Sequence, residues 1–269
     1  MTGSAPERQV AESDEILIAR DGPVLTLTFN RPAARNALTW DMYEGLTRAC
    51  EEVDADDAIR VLVLRGAGGQ AFVAGTDIGQ FRAFTGAADG IAYERDGDRR
   101  IGRLEAVRKP VIAAIRGFAV GAGLRIVAAS DLRIATPDAR FGAPIARTLG
   151  NCLSAEAYAR LVDLLGPSQV TALLFTAKLL GAEEAHAAGF VHEVVAPEVL
   201  DARARALAEE IANHAPITLR VTKEAVRRIR AARPVPDIED LIAETYASAD
   251  FHEGVRAFLE KRTPQWKGR

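Results

Sequence analysis

Phe72-Val73-Ala74-Gly75-Thr76-Asp77-Ile78 and Gly117-Phe118-Ala119-Val120-Gly121-Ala122-Gly123-Leu124 repeat one local pattern. A short strand-type apolar run enters a bend of small residues, and the chain leaves the bend in a helix. Each bend can therefore leave main-chain N–H groups pointing out of a helix N-terminus without partners. Two such donors aimed at one point would stabilise the negative charge that develops on a carbonyl oxygen as it becomes an enolate or a tetrahedral adduct. Small residues suit such a place because the substrate must approach the backbone closely. Each bend alone is also compatible with tight packing of a helix on a strand.

Outward from the bends, the pattern is strand-rich first and helical last. Glu15 to Arg20 and Val24 to Phe29 read as a hairpin around Asp21-Gly22-Pro23, with Leu25, Leu27 and Phe29 alternating with threonines. Arg31-Pro32 ends the second strand, and Thr39 can cap a helix that carries Met42, Leu46, Cys50 and Val53 on one face. Ile59 to Leu64 is a buried strand closed by Gly66-Ala67-Gly68-Gly69. Pro110 to Ile115 begins a second unit, followed by a buried helix over Leu124 to Ala129 and a strand over Asp131 to Ala135. From Ser154 the text is helical apart from a strand-like stretch at Phe190 to Val195, and Arg233-Pro234-Val235-Pro236 separates two late helices. The expected organisation is α/β: a loose tail over 1–13, a core with the pocket over 14–195, and a helical region over 196–269 that serves oligomerisation.

With 48% hydrophobic and 26% charged residues, the 269-residue chain is composed like a folded globular protein. A net charge of -3 gives no global attraction to nucleic acid or anionic lipid. Cys50 and Cys152 are too few for a disulfide framework or a cysteine-based zinc site, and His186, His192, His214 and His252 lack ligand spacing, so no metal is inferred. Met1 to Glu12 holds no apolar core of signal-peptide length, and a reducing cytoplasm is the expected compartment.

Six separated motifs then occur in order: Arg31-Pro32 with Asn36-Ala37-Leu38; Ala71-Phe72 with Ala74 to Ile78; Lys109 to Ala113 with Gly117 and Gly121 to Gly123; Ser130 to Ala135; Phe141-Gly142-Ala143-Pro144; and Phe258 to Arg262. Over residues 14 to 262 the chain resembles the crotonase (enoyl-CoA hydratase/isomerase) family. That resemblance implies a spiral of ββα units with a helical trimerisation region, a homotrimer or dimer of trimers, and a coenzyme A thioester as substrate with no permanently bound cofactor. It implies that the N–H groups of Thr76 and Ala122 form the oxyanion hole. It places coenzyme A along Arg35, Ala37, Ala74 and Asp77, with Phe258 and Lys261 closing the site, from a neighbouring subunit, and Lys261 near a phosphate. Asp77 also reads as the cap of the helix it precedes.

Where standard hydratases of the family carry two glutamates, this chain has Arg125 and Ile145. Arginine stays protonated and cannot act as a general base. Arg125 either meets an anionic group of the substrate or pairs with an acid from Phe81 to Asp98, and Arg147 admits the same two readings. Asn151, Cys152 and Ser154 fall on the expected active-site wall, and Tyr93, Glu94, Asp96 and Asp98 offer either a replacement base or a solvated charged face. The expected function is acyl-CoA processing of the hydratase/isomerase type, with isomerase or decarboxylase chemistry and non-catalytic acyl-CoA binding as alternatives.

Overall fold

The computed structural model describes residues 14–268, so the tail expected over 1–13 lies outside the described residues. Strands β1 (Ile16–Asp21) and β2 (Val24–Phe29) form the expected antiparallel hairpin, Ile16 opposite Phe29 and Asp21 opposite Val24. Thr39 caps α1 (Trp40–Ala55), its hydroxyl accepting from the Met42 N–H at 3.2 Å, and Met42, Leu46, Cys50 and Val53 are all buried. There follow β3 (Val61–Gly66), β4 (Ala71–Val73), α2 (Ala87–Glu105), β5 (Val111–Ile115), β6 (Phe118–Val120), α3 (Ala122–Ala129), β7 (Leu132–Ala135) and β8 (Arg140–Gly142). The remainder is α4 (Ile145–Thr148), α5 (Ala155–Leu165), α6 (Pro167–Phe175), β9 (Leu180–Gly181), α7 (Ala182–Ala187), β10 (Glu193–Val194), α8 (Leu200–Ala212), α9 (Pro216–Ala231), α10 (Glu239–Ala247) and α11 (Ala249–Leu259).

Two sheets result, in the orders β1-β2-β3-β5-β7-β10 and β4-β6-β8-β9, with every pairing parallel except β1 with β2 and β8 with β9. The run Val61-Leu62-Val63-Leu64 is buried on both faces: Leu62 and Leu64 face the main core, while Val61 and Val63 join Ala204, Ala208 and Ile211 of α8. Continuous apolar runs are what a parallel sheet covered on both sides requires. The first two turns of the spiral each hand the chain from the large sheet to the small one through a glycine. A side chain on Gly66 would meet the Ala71 carbonyl at 2.4 Å, and one on Gly117 would meet that of Gln70 at 2.0 Å.

The strand expected over Phe190 to Val195 is only two residues long. The Phe190 and Val191 N–H groups turn back to the Ala185 carbonyl at the end of α7, and pairing starts only beyond them. The last helix, α11, packs on its own chain. Its Phe251 is fully buried against Phe81, Phe84 and Tyr246, and Gly254 lets the helix touch the Leu149 carbonyl, where a Cβ would come within 2.2 Å.

Candidate active site

The two small-residue bends end up side by side. A Cβ built on Gly121 would lie 3.6 Å from the Gly75 Cα, and one on Gly123 only 2.1 Å from the Val73 carbonyl oxygen, so α3 is pressed against the end of β4. Gly75 holds a φ of 115° and Gly121 combines a φ of 57° with a ψ of -113°, backbone shapes that only glycine adopts without strain. Thr76 and Ala122 both line one cavity of about 460 Å³. Among the described residues, neither of their main-chain N–H groups has a hydrogen-bond partner. Ala122 opens α3, where an unpaired N–H is the rule.

At one end of this cavity the wall comes from the loop before α1. Arg35 and Asn36 take left-handed φ of 51° and 56°, held by the fully buried Asn36 side chain. It accepts from the Arg31 N–H and donates to the carbonyls of Ala67 and Ala71. Arg35, Ala37 and Ala74 line the cavity here, together with Asp77. Asp77 caps the 3-10 turn Ile78–Ala83 through the Gly79 N–H and pairs with Arg31 at 3.0 Å. Phe258 of the same chain also lines the cavity, while Lys261 is exposed beyond the end of α11 and off its wall.

The other end is ionic. Every residue of α3 is buried, so Arg125 has nowhere to go but inward. Its guanidinium donates to Glu94 Oε2 at 3.1 Å and to Asp98 Oδ1 at 2.6 Å, both on α2. The Ser154 hydroxyl donates to the same Asp98 oxygen at 2.6 Å, and Tyr246 of α10 donates to Glu94 Oε1 at 2.8 Å. Two glycines of α2 make the fit possible: a Cβ on Gly90 would strike the Tyr246 ring at 2.1 Å, and one on Gly97 would sit 3.0 Å from Arg125 Nη1. Of the two readings of Arg125, the ion pair is therefore the one realised in this structure. Burial pushes the Glu94 carboxyl above its ordinary value, with Arg125 and the Tyr246 hydroxyl opposing. Burial works against the charge on Arg125, but Glu94 and Asp98 outweigh it and hold the guanidinium more firmly protonated.

Ile145 and Asn151 line the cavity, and the Asn151 Oδ1 is buried without a hydrogen-bond partner among the described residues. Arg147 does not line it: α4 is a single turn whose outer side carries Arg147 into solvent, which corrects its reading as a pocket residue. Burial pushes the Cys152 thiol up to about 11, so it stays protonated and is a poor nucleophile. Asp96 pairs with Arg99 and Arg100, on the solvated face of α2. Tyr43 and Tyr246 were missed from sequence, since nothing local to either residue signals a partner so distant in the chain. Among the described residues no cluster of side chains suited to a metal occurs.

A family model described as enoyl-CoA hydratase/isomerase matches residues 19–269. A short-chain-enoyl-CoA hydratase of Clostridium acetobutylicum is 34% identical over 258 residues, covering 93% of this chain and 97% of that protein. A 2,3-dehydroadipyl-CoA hydratase of Escherichia coli K12 is 34% identical, covering 95% and 99%. Among solved structures, a methylmalonyl-CoA decarboxylase complexed with 2S-carboxypropyl-CoA superimposes with a TM-score of 0.88 at 27% identity, covering 96% of this chain and all of that one. An enoyl-CoA hydratase/carnithine racemase of Magnetospirillum magneticum gives 0.78 at 33% identity, covering 96% and 97%.

Proposed function

The chain belongs to the enoyl-CoA hydratase/isomerase family, whose members process acyl-CoA substrates, and we propose that it acts on thioesters of uncharged acyl groups through an enolate, with Glu94 as its one proton-carrying carboxylate. The observation behind this reading is the pair of unbonded N–H groups, Thr76 and Ala122, on a cavity where, among the described residues, the only cation at the acyl end is already tied to two carboxylates. The thioester oxygen accepts from both N–H groups. Glu94 in its carboxylate form takes a proton from the acyl chain, the electron pair of that C–H bond moves toward the thioester, and the carboxylic acid returns the proton one allylic position away. The result is a double-bond shift with no net change in atoms. Hydration would need one group to activate water and another to protonate the α-carbon. Neither Arg125 nor Ile145 can supply one, so hydration of crotonyl-CoA is slow.

The test is to incubate 2-enoyl- and 3-enoyl-CoA with the enzyme in D2O and follow product and deuterium by mass spectrometry. Glu94→Gln should lower isomer formation and exchange by about 10² to 10⁴. Crotonyl-CoA hydration at ordinary enzyme rates, surviving in Glu94→Gln, would sink the proposal. A second reading, decarboxylation, draws support from the superposition on the decarboxylase. There the C–C electron pair would form the enolate as CO2 leaves, and no base would be needed. CO2 release from a 2-carboxyacyl-CoA would select it.

We place coenzyme A along Arg35, Ala37, Ala74 and Asp77, with Phe258 at the mouth and Lys261 toward the 3′-phosphate. The chain would assemble as a homotrimer or dimer of trimers through α9, where Ile217, Val221, Val226 and Ile229 are exposed. Light scattering would measure that mass. Among the described residues no helix is long and apolar enough to cross a membrane, and we assign the protein to the cytoplasm on its two unpaired cysteines.

A further inference from the structure

Three hydroxyls are linked through Thr76 at the oxyanion end of the cavity. Tyr43 Oη lies 2.7 Å from Thr76 Oγ1, and Thr76 Oγ1 lies 2.8 Å from Tyr93 Oη. Each hydroxyl owns one proton, and the line contains two hydrogen bonds, so one proton is spare. Its place follows from burial. Tyr43 is 4% exposed, does not line the cavity, and its close hydroxyl contact is to Thr76. If Tyr43 only accepted, its own proton would be stranded in the core, which costs more than turning it toward Thr76. Tyr43 therefore donates, and the spare proton moves to the far end. Both remaining residues line the cavity, Tyr93 half-buried and Thr76 buried, so the spare proton is assigned to Tyr93.

The line is also held rigid. Arg100 covers the Tyr43 ring at 5.1 Å, Trp40 stacks on it at 6.1 Å, and Phe81 meets the Tyr93 ring edge-on at 5.0 Å. Burial drives the Tyr93 hydroxyl well above its ordinary value and raises that of Tyr43, so both remain protonated donors at neutral pH. Thr76, the middle member, is also the residue whose main-chain N–H is unbonded, and Tyr93, 2.8 Å from its hydroxyl, lines the same cavity.

We propose that Tyr43, Thr76 and Tyr93 form a one-way hydroxyl chain whose spare proton, on Tyr93, is a third and side-chain donor to the enolate oxygen. Tyr93 is then a catalytic residue and Tyr43 a positioning residue that acts through it. The inference rests on the enolate reading, and the experiment separates the two. A 3-ketoacyl-CoA such as acetoacetyl-CoA ionises to a delocalised enolate with its own ultraviolet band, so the apparent pKa of the bound ligand reports how well the site holds an enolate oxygen. Butyryl-CoA, which does not ionise, reports ordinary binding.

In wild type the bound 3-ketoacyl-CoA should ionise at lower pH than in water. Tyr93→Phe, which keeps the ring and its packing, should raise that bound pKa by one to two units, about tenfold to a hundredfold in enolate affinity, with butyryl-CoA binding weakened far less. Tyr43→Phe should cause a smaller rise, and the double variant should be no worse than Tyr93→Phe alone. If wild type does not favour the enolate, the enolate reading fails and this inference with it. If wild type favours it but Tyr93→Phe leaves the bound pKa in place, weakens both ligands equally, or adds its effect to that of Tyr43→Phe, the hydroxyl chain alone is overturned.

Discussion

At its Thr76–Ala122 end the cavity presents main-chain N–H groups, whereas at its Glu94–Arg125 end it presents side chains drawn from α2, α3 and α10 with Ser154 at the start of α5. The first end depends on backbone shape and so tolerates Ala122 or Thr76 at the donor positions, because any residue but proline supplies an N–H. The second depends on which side chains are present, since a buried cation with two carboxylates leaves little freedom in either charge or size. Shared chemistry of a family can therefore persist at the first end while the second is rebuilt.

The comparison can be broken hardest at Arg125. Arg125→Met removes the cation but leaves Glu94 and Asp98 in the interior, and urea denaturation should show a loss of about 3–5 kcal/mol. A loss below about 1 kcal/mol would mean that the two carboxylates do not need the guanidinium, and that the ionic end is not structural. At the main-chain end, Gly123→Ala drives a methyl against the Val73 carbonyl, 2.1 Å from where its Cβ must sit. It should cost about 1–3 kcal/mol, with enolate binding lost beyond what stability explains. If the variant folds normally and still binds, close approach of the bends does not fix the donors.

The smallest effect sharpens the contrast through pH. Glu94 has a raised carboxyl, so the folded state holds that proton more tightly than the unfolded chain does. Its contribution to stability is present in acid and lost as pH climbs through the raised value. Glu105, paired with Arg160 and Arg230, is lowered despite its burial, so its contribution is present above its ordinary value of 4.5 and lost as pH falls below it. Denaturation midpoints at a series of pH values should show the deficit of Glu105→Gln shrinking on acidification. A deficit constant across that range would remove the ion pairs as its cause.

Legibility in the sequence follows the same division. The bends, the hairpin and the cap at Thr39 announce themselves because each is decided by neighbours in the chain: small residues after an apolar run, alternation, a hydroxyl before an apolar stripe. Arg125 and Arg147 looked equivalent in sequence and proved opposite in structure. The first rides on a helix buried all round, and the second on one short turn with an open side. Glu94 and Asp98 sat among many charges on α2, where nothing local separates a buried carboxylate from a solvated one. Their partners lie far along the chain, as do the glycines' reasons for being at 90 and 97. Phe258, placed at the cavity by resemblance, lines the cavity of its own chain.

The hydrogen bond from Tyr246 to Glu94 spans 152 residues, and it has a consequence for how the molecule is made. During synthesis the two bends emerge early and can settle on their sheets while most of the helical region is still unmade. Glu94 gains its Tyr246 partner, whose ring packs against Gly90, only once α10 has been made. The wall over the acid is thus among the last parts of the chain to be made, and a chain cut short before α10 would hold the donors of the site with Glu94 lacking its Tyr246 partner.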